Sequence, residues 1–72
     1  MARVKTNCFE LSKARIMAGL TVAEFADKVG CSKQNLYMIE AGKTRPTPRL
    51  MQKIVAILNV PFDCIFSIVE GE

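Results

Sequence analysis

The sequence contains no histidine and only three cysteines. Cys8, Cys31 and Cys64 form an odd set without a CxxC spacing, so the usual four-ligand zinc site cannot be assembled from one chain. Cysteine is also a common buried small hydrophobe, and these three read as reduced thiols of a cytoplasmic protein rather than a disulfide framework. No apolar run approaches the ~18 residues of a membrane span, and the N-terminus lacks the apolar stretch of a signal peptide. Also missing are a phosphate-cradling glycine loop and a supported Ser-Lys pattern. Glu24 and Asp27 share a helix face, but a catalytic pair would need burial or perturbed pKa values. The expectation is a protein without cofactor, metal, membrane partner or enzymatic activity. One further absence is informative: no acidic residue lies between Ala41 and Phe62.

What is present fits one small domain, residues 1–72, near the size where a single core barely suffices. Half of the residues are hydrophobic, enough for a compact fold. The net charge of +3 and pI near 9.0 are weak evidence alone. Their distribution says more. Lys43, Arg45, Arg49 and Lys53 occupy the stretch without carboxylates, and Arg3 and Lys5 form a second positive cluster in a basic arm, residues 1–6. Glu24, Asp27, Asp63, Glu70 and Glu72 lie elsewhere.

Capping residues and apolar periodicity divide the chain into five short helices, with no convincing strand before the last few residues. Asn7 with Glu10 three residues later caps a helix from about Cys8 to Ala18, ended by Gly19. Thr21 and Glu24 form a second capping box before the periodic set Val22, Phe25, Ala26 and Val29. Gly30 stops that helix. Ser32 caps a third, Lys33 to about Ala41, with Leu36 and Ile39 facing inward and Gly42 closing it. Thr47 and Pro48 open a fourth that reaches Leu58. Pro61 opens a short fifth through Phe66. The tail, residues 67–72, is ambiguous.

The second and third helices, joined by a tight turn containing glycine, make a helix-turn-helix arrangement. Helix pairs with short connections are common, so topology alone decides little. The residues around it resemble the phage Cro and repressor-type helix-turn-helix family, also called the XRE family. The resemblance runs from Leu11 to Phe66 through "LSKARIMAGLT", "AEFADKVGCS", "LYMIEAGKTRP" and "LMQKIVAILNVPFDCIF". Ala26, Gly30, Leu36 and the Ile39-Glu40-x-Gly42 ending carry it most specifically. It implies an all-α, five-helix, lambda-repressor-like domain, usually dimeric, whose second motif helix enters the major groove of double-stranded DNA.

With that helix docked by its N-terminal end, Lys33, Gln34, Asn35, Tyr37 and Met38 are the candidate base contacts. Gln34 suits adenine N6/N7 and Lys33 suits guanine O6/N7, while Met38 could meet a thymine methyl. Thr21, Val22, Lys43, Thr44 and Arg45 match positions that contact DNA phosphates in the family. Many members carry glutamine where this chain has Val22. Either the backbone N–H alone serves there, or another partner matters. Arg15 and Glu40 resemble the family's interhelix ion pair, whose expected role is orientation more than net stability. Phe66, Ile68 and Val69 are the expected homodimer contacts.

The expected function is a small sequence-specific transcriptional repressor acting by operator occupancy. The rival is a protein-interaction module of the same fold, such as an antitoxin that binds a toxin as well as DNA. Val22 and the apolar set Ile65, Phe66, Ile68 and Val69 favour the rival.

Overall fold

Side-chain caps start four of the five helices. Asn7, Thr21, Ser32 and Thr47 each accept a hydrogen bond from the backbone N–H three residues on, which satisfies donors a helix start leaves free. In the computed structural model, which describes residues 2–70, the elements are β1 (Arg3–Thr6), α1 (Cys8–Met17), α2 (Val22–Val29), α3 (Lys33–Glu40), α4 (Pro48–Leu58), α5 (Phe62–Ile65) and β2 (Phe66–Val69). The helix positions agree with the capping and periodicity argument to within a residue or two.

The all-α expectation is corrected at both ends. β1 and β2 form an antiparallel ribbon with Arg3 opposite Val69, Val4 opposite Ile68, Lys5 opposite Ser67 and Thr6 opposite Phe66. A four-residue strand has too short an alternation to stand out in a sequence, and a lone two-stranded ribbon is marginal in water. Here the helices support it: Phe66 is buried, and the Asn7 N–H donates to the Ile65 carbonyl at 2.7 Å. The ribbon takes in residues 3–6 of the expected basic arm and residues 67–69 of the expected tail. Met1, Gly71 and Glu72 lie outside the described residues.

The core joins Leu11 of α1, the α2 set Val22, Phe25, Ala26 and Val29, Leu36 and Ile39 of α3, and Met51, Ile54, Val55 and Leu58 of α4. Ile65 and Phe66 close its lower end, where the Phe62 and Phe66 rings meet at 5.2 Å. Each large side chain so buried contributes about 1.5–3 kcal/mol. Ala26 is buried on the core side of α2, and a larger side chain there would overpack the core.

Candidate nucleic-acid interface

Gly30 sets the angle between α2 and α3. It caps α2 at φ 83°, a left-handed conformation that costs glycine nothing, and Gly30 and Cys31 both donate to the Ala26 carbonyl. Ser32 Oγ then accepts from the Asn35 N–H, starting α3 after a three-residue connection. Leu36 and Ile39 are fully buried, which turns the other side of α3 to solvent.

Lys33, Gln34 and Tyr37 are exposed on that side, and Tyr37, three residues after Gln34 and four after Lys33, is a neighbour of both on the helix surface. The Lys33 ammonium sits 5.7 Å from the centre of the Tyr37 ring, a cation–π contact worth about 0.5–1 kcal/mol at an exposed site. Asn35 and Met38 are half-buried at the edges of the face. Burial raises the Cys31 pKa, and the nearby Asn35 side chain partly offsets that rise.

At the start of α2, Thr21 and Glu24 make the full capping box. Thr21 Oγ1 accepts from the Glu24 N–H at 3.1 Å, and Glu24 Oε1 accepts from the Thr21 N–H at 2.9 Å. That backbone hydrogen bond, then the Thr21 hydroxyl, lowers the Glu24 pKa. The Val22 side chain is buried, so only its backbone N–H can serve an anion.

The C-terminal end of α3 is clamped to α1. Glu40 Oε2 accepts from Arg15 Nε at 2.8 Å, Glu40 Oε1 accepts from Ser12 Oγ at 2.8 Å, and Arg15 Nη1 donates to the Leu20 carbonyl at 2.7 Å. Both charged side chains are largely covered. Ser12 escaped the sequence reading, although it lies three residues before Arg15 and therefore on the same side of α1. Beyond Gly42, Lys43 and Arg45 project into solvent. Thr44 does not: its hydroxyl is buried without a hydrogen-bond partner.

The residues expected at a dimer contact are separated. Phe66, which the sequence places in an exposed apolar patch, is a core residue 1% exposed, because the chain turns into β2 there and drives it inward. Val69 is half-buried beside Arg3 and Arg45. Ile68 alone of the three is open to solvent, at 68%. A larger apolar surface lies on α1, where Phe9, Ile16 and Met17 are exposed.

The three cysteines are free, and no cluster of possible metal ligands occurs among the described residues. Nor is any helix among them long and apolar enough to cross a membrane.

Comparison with known proteins places this geometry. Residues 11–63 match the helix-turn-helix family. The chain is also similar to an uncharacterized HTH-type transcriptional regulator of Archaeoglobus fulgidus, 35% identical over 58 residues that cover 81% of this chain and 83% of that one.

Proposed function

This chain belongs to the helix-turn-helix family of the phage Cro and repressor type, and from that premise we propose that it is a sequence-specific, DNA-binding transcriptional regulator. The observation that carries the reading is the exposed face of α3. Buried Leu36 and Ile39 hold the helix on the core while Lys33, Gln34 and Tyr37 stand clear of it. A helix so presented fits a major groove, with Gln34 and Lys33 as the base-reading side chains. Asn35 and Met38 stand at the edges of the reading face, and Tyr37 reaches base or sugar.

In this reading the Thr21 and Val22 backbone amides at the start of α2, with Lys43 and Arg45 beyond α3, hold phosphates and fix the register. Thr44 joins them once its hydroxyl turns outward. The Arg15–Glu40 pair keeps α3 at a fixed angle to α1. The protein acts as a small repressor by occupying its operator, works as a homodimer, and performs no catalysis.

A gel-shift titration over salt tests the reading. Each neutralised phosphate contributes a slope of about −0.9 in log K against log salt, so several contacts per subunit give a steep line. A flat response, or no binding at low salt, defeats it. The exposed apolar face of α1 favours a second reading, in which the same fold also holds a protein partner, as an antitoxin does. Protein binding that persists when Lys33 and Gln34 are both replaced by alanine distinguishes that role.

A further inference from the structure

The ribbon places charge where the sequence did not assign a function. A groove of about 500 Å³ runs between β1 and the segment after α3, and Arg3, Lys5, Thr44 and Arg45 help to line it. No carboxylate lines it, and the Arg15–Glu40 pair is the one salt bridge among the described residues, so three exposed cations border one groove without an acidic residue in its lining. Thr44, one of the lining residues, also has a buried hydroxyl without a hydrogen-bond partner. Native proteins pair nearly all buried polar groups, and a cluster of like charges raises the free energy of the fold unless an anion offsets it.

Its position relative to α3 is fixed by contacts. Cys8, two residues after the end of β1, directs its thiol at the Ile39 carbonyl at 3.8 Å, and a Cβ on Gly42 would come within 3.3 Å of that sulfur. The ribbon therefore begins at the C-terminal end of α3, beside Lys43 and Arg45. Arg3 and Lys5 are two residues apart on one side of a strand, ~6.7 Å along it. That is close to the spacing of successive phosphates on one DNA strand.

We propose that Arg3 and Lys5 on β1, together with Arg45, hold consecutive backbone phosphates of duplex DNA, making the terminal ribbon a second DNA-binding limb. The inference rests on the DNA-binding reading and extends it to a part of the fold outside the helix-turn-helix. The ribbon carries no base-reading contact, so it adds affinity and salt dependence without sequence preference.

The test uses the full chain and a mixed-sequence duplex, titrated between about 50 and 200 mM salt. Arg3→Gln/Lys5→Gln is expected to flatten the slope by about two units, and Lys43→Ala by about one. Loss of steep salt dependence in the wild type overturns the DNA reading and this proposal with it. A steep wild type, a shallower Lys43→Ala and an unchanged Arg3→Gln/Lys5→Gln overturn the ribbon alone. Both positions are exposed, so the substitutions should preserve the fold. Should the double variant melt early, the singles decide: Arg3→Gln and Lys5→Gln each lose about one unit, while Arg3→Lys/Lys5→Arg keeps the wild-type slope. Wild-type slopes in both singles overturn the assignment.

Discussion

Glu40 accepts from two side chains of α1, and among the described residues no other acceptor holds Arg15 and Ser12 together. Glu40→Ala should therefore destabilise the protein by about 3 kcal/mol, the cost of stranding a largely covered charge. Equilibrium denaturation measures it, and a loss below about 1 kcal/mol would mean that water replaces the carboxylate. On the exposed side of α3 the expected losses are of a different kind. Gln34→Ala should cost about 1–3 kcal/mol in binding and relax preference at one base pair, whereas Lys43→Ala should weaken all sequences alike. Selection from a random duplex pool separates them; an unchanged profile for Gln34→Ala would show that the register of the reading helix is wrong. The pairing of Arg15 with Glu40 was legible because family resemblance supplied partners 25 residues apart. Phe66 was not legible as core. Its burial depends on where α5 stops, and Ile65 and Phe66 are equally apolar on either side of that boundary.

Helices announced themselves through their ends, because a cap is a local transaction between residues three apart. Each expected cap among Asn7, Thr21, Ser32 and Thr47 is made. The ribbon is the contrary case: its partners, Arg3–Thr6 and Phe66–Val69, meet across nearly the whole chain, and no local spacing encodes such pairing. At the start of α2 the capping box makes a pH prediction. Its backbone and side-chain hydrogen bonds with Thr21 lower the Glu24 pKa in the folded protein. The contribution is present above the unfolded value of about 4.3 and is lost as pH falls through the lower folded value. Thermal melts should show wild type losing stability relative to Glu24→Gln over that acid window, and parallel curves would refute the linkage. Gly42 ends α3 at φ 77° with Cys8 Sγ close by. Gly42→Ala should cost about 1–2 kcal/mol from the left-handed backbone alone, and Cys8→Ala should relieve any excess over that in a double-mutant cycle.

At the scale of the whole molecule, one copy presents one eight-residue helix, α3, as the proposed reading element. Such a helix contacts only a few base pairs, too few to discriminate among genomic sites. Two copies related by a two-fold axis would read half-sites about one helical turn apart, ~34 Å between centres. The contact surface cannot be Phe66, because that side chain already completes the core of its own subunit. The exposed candidates are Ile68 on the ribbon and the α1 residues Phe9, Ile16 and Met17, and contiguous exposed apolar surface commonly marks an interaction site. A charge introduced into the true interface should separate the subunits without unfolding them, whereas Phe66→Glu should unfold the protein outright. Sedimentation at micromolar concentration is expected to give a dimer for wild type and a folded monomer for Ile16→Glu or Ile68→Glu, whichever lies in the contact. The variant that dissociates should also lose its preference for paired half-sites while its salt slope per subunit is retained. A wild type that stays monomeric, both free and on palindromic DNA, would refute the dimer and require a protein partner to supply the missing specificity.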